Sequence, residues 1–329
     1  EPDAKRYRQE IERLYNVVVF ESDLKWRSES SDRLAKTEKA LEWLRQRHIA
    51  VRGHCLVWGS WKYVPASVRT FRDTALRQAC QQHVTDYARR FHDKLYIWDV
   101  VNEARTNTEV WEETGWKSFA DAFRWTADAA PDALRCYNDY AILSGTEETR
   151  AGVAERIQYL LDNKAPVDVL GIQAHMTIPL VPMDAILATL DEWAAFGKPL
   201  EITEFDLSCT KDLPHAAYFR DFMTAVFSHP KVESFLMWGF WEGRHWRSRE
   251  GGHMFRLDWS KRPAQDAYED LVLNQWWTQW EGATGAAGSS TLRAFYGTHR
   301  VTVAMNDRTA STEVQLAPGK EATVRLVLE

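Results

Sequence analysis

Two short, apolar, β-branched segments end on glutamates: WDVVNEA at Trp98–Ala104, carrying Glu103, and LEITEFD at Leu200–Asp206, carrying Glu204. Strand-like runs in an α/β chain deliver their last side chains to one shared rim. Two carboxylates on such a rim are the equipment for cleaving a glycosidic bond: one protonates the leaving oxygen, the other attacks the anomeric carbon. Asn102, immediately before Glu103, can hydrogen-bond a sugar hydroxyl and strengthen that bond in the transition state. An isolated strand-end glutamate is usually a solvated ion-pair partner. The matched pair, each on a buried run, argues for chemistry instead.

His175 ends its own strand-like run, GIQAHM at Gly171–Met176. Held by one carboxylate, Asp206, it can donate to a second, Glu204, and keep it ionised for attack. Read alone, His175 is as easily a satisfied core histidine. Strand alternation places Glu201 on the face opposite Glu204, out of the site.

The chain holds 16 tryptophans. Aromatic faces pack on sugar C–H faces, while Asn, Gln, Lys and His satisfy the hydroxyls. The candidates at strand ends are Lys25-Trp26, His54 and Trp58, Tyr140, and Trp238, Trp241 and Trp246. Trp43, Trp125, Trp193 and Trp259 read as core or helix packing.

The elements that must position these residues alternate. Strands are expected at Val17–Phe20, Ala50–Trp58, Leu95–Val101, Leu134–Tyr140, Val167–Ala174, Pro199–Thr203 and Ser234–Trp238. Helices are expected around Tyr7–Tyr15 and over Leu34–His48, Asp73–His92, Lys117–Ala129, Thr146–Asn163, Met183–Phe196, Pro214–Ser228 and Pro263–Leu273. This alternation implies parallel strands with right-handed crossovers. So many units favour a (β/α)8 barrel; seven strands are read, and an eighth, the first, is expected ahead of Glu1. Residues 1–275 make the barrel and 276–290 a Gly/Ser-rich linker. Residues 291–329 read as a small all-β module of four strands, at Thr291–Tyr296, His299–Met305, Thr312–Leu316 and Glu321–Val327. Such a module is too small for a core of its own and is expected to pack on the barrel.

A net charge of −6 gives no reason to expect nucleic acid or an anionic membrane as partner. Cys55, Cys80, Cys136 and Cys209 are scattered and read as buried free thiols. No phosphate-binding glycine motif and no GxSxG elbow is present, and neither metal nor cofactor is expected.

The order of YNVVVFESDLKW (Tyr15–Trp26), VRGHCLVW (Val51–Trp58), WDVVNEA, YNDY (Tyr137–Tyr140), GIQAHM, ITEFD (Ile202–Asp206) and WGFWEGRHW (Trp238–Trp246) resembles glycoside hydrolase family 10, mostly endo-β-1,4-xylanases. The resemblance implies a retaining double displacement with Glu103 as acid/base and Glu204 as nucleophile. It implies that Glu21, Lys25, His54, Trp58, Asn102, Gln173, His175, Trp238 and Trp246 line the glycone side and that Tyr140 stacks on the aglycone side. Asp206 would orient His175. Xylan or a xylo-oligosaccharide is the implied partner, and a secreted, monomeric enzyme is expected. The chain departs from the family's usual residues at Ser22, Gly59 and Ala141, where Asn, His and Asn are common. The alternatives are another β-1,4-glycanase or arylglycosidase on the same fold, or a non-catalytic carbohydrate-binding protein.

Overall fold

The structure is a computed structural model that describes residues 2–28 and 30–328. The strands are β1 (Val17–Val19), β2 (Ala50–Trp58), β3 (Ile97–Asn102), β4 (Leu134–Asp139), β5 (Val169–Ile172), β6 (His175–Met176), β7 (Leu200–Leu207) and β8 (Val232–Met237). The helices are α1 (Pro2–Leu14), α2 (Ser31–Arg45), α3 (Asp73–Arg90), α4 (Glu109–Thr114), α5 (Lys117–Ala129), α6 (Glu147–Asp162), α7 (Met183–Ala194), α8 (Asp212–Ser228) and α9 (Pro263–Glu269). All eight strands pair in parallel, in the order β1-β2-β3-β4-β5-β7 with β8 on β7. The two-residue β6 carries on beyond β5 and pairs the far end of β7. The result is the expected parallel barrel, nearly closed; among the described residues no hydrogen-bonded ladder joins β8 to β1.

Parallel strands covered by helices are buried on both faces. Accordingly every residue of β3 and β7 is buried. Phe205 of β7 packs against Phe219 and Phe222 of α8, which form the helical side of the core with Phe119 and Phe123 of α5.

Three strands slip register at one level of the barrel. The shifts fall between His54 and Val57 on β2, between Asp99 and Val101 on β3, and between Ile202 and Phe205 on β7. A one-residue slip exchanges the faces of a strand. This corrects the placement of Glu201. It faces the lumen as Glu204 does, because it bonds Arg52 Nη1 at 2.6 Å across the barrel from β2. Strict alternation failed because β7 changes phase between the two glutamates.

By its internal contacts the chain divides into residues 1–265 and 266–329. In the second unit a π-helix, Asp270–Gln275, continues α9. Two strands follow, β9 (Gly297–Met305) and β10 (Arg308–Leu316), paired antiparallel from Met305↔Arg308 to Gly297↔Leu316. Asn306, with φ 53°, makes the turn. Only two of the four expected strands form. Residues 291–296 and 321–327 have the alternation but no partner strand among the described residues, and alternation alone does not make a ladder.

Candidate active site

Glu103 is the first residue past β3. Its φ of 55° lies in the left-handed region, uncommon for a side chain with a Cβ and frequent at functional sites. Its backbone N–H donates to Asn138 O at 2.8 Å. One carboxylate oxygen accepts from Gln173 Nε2 at 3.1 Å. The other accepts from Trp58 Nε1 at 3.1 Å and Asn107 Nδ2 at 3.3 Å. Burial raises its pKa to about 7, with the charges of Glu204 and Asp139 adding to the rise against the Gln173 bond. Near neutrality Glu103 is therefore a proton donor. Asp139 is itself raised to about 6 by burial, against bonds from Tyr137 and from two backbone amides.

Glu204 is 4% exposed. It accepts from Asn138 Nδ2 at 2.8 Å on one oxygen and meets His175 Nε2 at 3.2 Å on the other. The opposite ring nitrogen, His175 Nδ1, is 3.1 Å from Asp206 Oδ2. That approach is off the direction of an N–H bond, so it acts as an ion pair. Burial alone would lower the His175 pKa. Asp206 and Glu204 outweigh it and raise it to about 9, so at neutral pH the ring is an imidazolium between two carboxylates. Asp206 is fixed in turn by Trp246 Nε1 at 2.6 Å and Arg247 Nη1 at 3.2 Å.

A chain of amides joins the two glutamates. Asn102 Oδ1 accepts from Asn138 Nδ2 at 3.0 Å, the group that also holds Glu204. It accepts as well from Gln173 Nε2 at 3.3 Å, which also holds Glu103. Thr203 Oγ1 donates to Asn138 Oδ1 at 2.7 Å and so fixes that amide's orientation. Asn102 Nδ2 is left buried with no partner. Such an orphan costs about 1–3 kcal/mol, and a substrate hydroxyl would satisfy it.

Around this centre, Lys25 Nζ lies 4.9 Å above the Trp58 ring and 6.0 Å from the Trp238 ring. Trp238 packs edge-on against His54 at 5.1 Å. The half-exposed Trp246 packs edge-on against His175 at 5.0 Å. Tyr140 donates to Thr106 Oγ1 at 3.3 Å, with Arg105 4.9 Å above its ring. His54 serves from beneath: it is 1% exposed, its Nδ1 is 2.8 Å from Asp99, and it stands 4.0 Å from Glu204. Glu21 is exposed and, among the described residues, makes no hydrogen bond or ion pair with the others. Trp241 is buried and stacked on Trp259 at 4.6 Å, a structural residue and not a sugar platform.

Sequence reasoning missed Asn138, Asn107, Asp99 and Arg247. Asn138 was visible in YNDY, two residues before Tyr140, but nothing local shows that its side-chain amide holds Glu204 while its backbone carbonyl accepts from the Glu103 N–H. Asp99 belongs to a buried network under the site. Arg52, fully buried, bonds Asp99 through Nε at 3.2 Å, Glu201 at 2.6 Å and Cys136 Sγ at 2.9 Å, and Tyr96 donates to Glu201 at 3.2 Å. Burial alone would raise the Asp99 pKa, but Arg52 and His54 hold it low.

A parallel barrel whose rim carries an acid held protonated beside a second, hydrogen-bonded carboxylate defines a class of glycosidic-bond enzymes. Residues 2–271 match the family model described as glycosyl hydrolase family 10, and the chain belongs to that family. It is similar to the anti-sigma-I factor RsgI6 of Acetivibrio thermocellus, with 30% identity over 301 residues, 90% of this chain and 39% of that protein. It is similar to endo-1,4-beta-xylanase B of Thermotoga neapolitana, with 26% identity, 74% of this chain and 75% of that protein. Among solved structures, xylanase 10B from Thermotoga petrophila RKU-1 in complex with xylobiose superposes with a TM-score of 0.74 at 26% identity, covering 83% of this chain and 90% of that one. Against four of the curated relatives the chain spans between 28% and 39% of their length.

Proposed function

We propose that this chain is a retaining endo-β-1,4-xylanase. The observation that carries the reading is the inequality of two linked carboxylates: Glu103 is a proton donor near neutrality, while Glu204 is held by a His175 imidazolium and an Asn138 amide. Groups whose surroundings divide them this way take acid and nucleophile roles. Xylan lies along the rim over Trp58 and Trp238. Glu204 attacks the anomeric carbon and the C–O bond to the leaving sugar breaks as Glu103 gives that oxygen its proton. Glu103, now a carboxylate, takes a proton from water, whose oxygen displaces Glu204 from the sugar with a second inversion. Asn102 Nδ2, unpartnered without substrate, donates to a hydroxyl of the reacting sugar. The xylanases among the relatives support xylan as substrate, and a polymeric substrate favours action outside the cell.

A second reading, xylan binding without turnover, is set beside it because one relative carries the name of a regulatory factor and not of an enzyme. One experiment separates the two. The protein should release reducing ends from purified xylan. Glu204→Ala should lower kcat by at least about 10³-fold, in the range seen when a nucleophile is removed, with xylan affinity largely kept. A parent protein that binds xylan and never cleaves it supports the second reading. Equal loss of binding and turnover makes Glu204 structural.

A further inference from the structure

The molecule carries a net charge of −6, yet the rim beyond Trp58 is cationic. Tyr63 stacks on Trp58 with centroids 3.5 Å apart and planes 11° from parallel. Lys25 Nζ is 4.9 Å from the Trp58 ring. Arg27 Cζ lies 5.7 Å from the Tyr63 ring and Lys62 Nζ 5.1 Å from it. Trp58 also holds Glu103 at 3.1 Å, so the wall starts at the reacting centre and runs outward to its cations.

One cation on an aromatic face is an ordinary surface contact. Three on one two-ring wall repel each other unless an anion joins them. Among the described residues Lys25, Arg27 and Lys62 form no ion pair, and Asp23 of the same loop is taken by Arg33 at 3.1 Å. Among the described residues no carboxylate comes within ion-pair distance of these three cations, and the wall adjoins Trp58, which holds Glu103.

We propose that this wall is a subsite for uronic acid substituents, so that the preferred substrate is an acidic, glucuronic-acid-bearing xylan. The proposal rests on the xylanase reading above. The xylan backbone passes Trp58, the substituent's ring lies beside Tyr63, and its carboxylate meets the Arg27 guanidinium, whose forked N–H groups match a carboxylate, with Lys62 as a second point charge.

The test compares kcat/KM on glucuronoxylan and on unsubstituted linear xylan for the parent protein and for the double variant Arg27→Gln, Lys62→Gln, which keeps a polar side chain at both positions and removes both charges. The parent should prefer glucuronoxylan at low salt, and the preference should shrink as salt is added. The double variant should lose about fivefold on glucuronoxylan, the scale of two exposed ion pairs, and keep its rate on linear xylan. Unchanged activity on glucuronoxylan, or equal loss on both polymers, overturns the subsite. If the parent cleaves neither polymer, the xylanase reading itself falls. Binding of an acidic xylo-oligosaccharide then decides the subsite: about fivefold weaker in the variant supports it, and equal affinity overturns it.

Discussion

At the scale of single residues, the site works because burial and partners divide like groups. On the proposed mechanism Glu103, with a pKa of about 7, is the group whose ionisation limits activity on the alkaline side. A general acid is competent only while protonated, so kcat/KM should fall as pH rises through about 7. His175 keeps its charge to about 9 and does not set that limb. The same shift links to stability. The folded pKa of Glu103 lies above the unfolded value of about 4.3. Its stabilising contribution is therefore complete below that value and lost as pH rises through about 7. Glu103→Gln should match the parent in Tm near pH 4 and exceed it near pH 8; a Tm difference independent of pH would contradict the burial account. Deeper in the barrel, Arg52→Met leaves Asp99 and Glu201 buried without their cation. Breaking a buried pair in this way costs about 3–5 kcal/mol, and urea unfolding should read it.

At the scale of elements, the two glutamates and their strands were legible because each is written in a contiguous string, an apolar run with a carboxylate at its end. What joins them was not. The register slips on β2, β3 and β7 come from how strands pair, and no local pattern announces them. Hence Glu201 was expected outside the lumen, and the Asn138 bridge went unseen. Of the three departures from the family, the one at Gly59 finds its reason in loop geometry, Ala141 runs against its own backbone conformation, and nothing in the structure explains Ser22. A Cβ on Gly59 would come 2.5 Å from Asn107 O and 2.6 Å from Trp111 Nε1, and Asn107 is a ligand of Glu103. Gly59→Ala should displace that loop and lower kcat by about tenfold, a loss of about 1.4 kcal/mol in transition-state binding, with KM less affected. Ala141 has φ 57°, a conformation that Asn tolerates better than Ala. Ala141→Asn should therefore raise stability, by about 0.5 kcal/mol; thermal unfolding checks the sign.

At the scale of the whole molecule, alternation of strand and helix was enough to specify a parallel barrel, because parallel strands need crossovers and crossovers need helices. The C-terminal unit was less legible. Period-two patterning suggested four strands where the chain makes one hairpin, whose residues are exposed or half-buried throughout. A two-stranded hairpin by itself is marginally stable in water. Hydrogen exchange should therefore find β9 and β10 amides unprotected while those of β3 and β7 exchange only on global opening. Protection of the hairpin equal to that of β7 would show it to be part of the barrel's cooperative unit.

The central claim is that Glu204 attacks the sugar and Glu103 supplies the proton. A xylobioside with fluorine at C2 and a good leaving group forms the glycosyl-enzyme and slows its breakdown. Mass spectrometry of the digested adduct should find one xylobiosyl label, on Glu204. A label on another residue, or release of an inverted product with no adduct, would contradict the account.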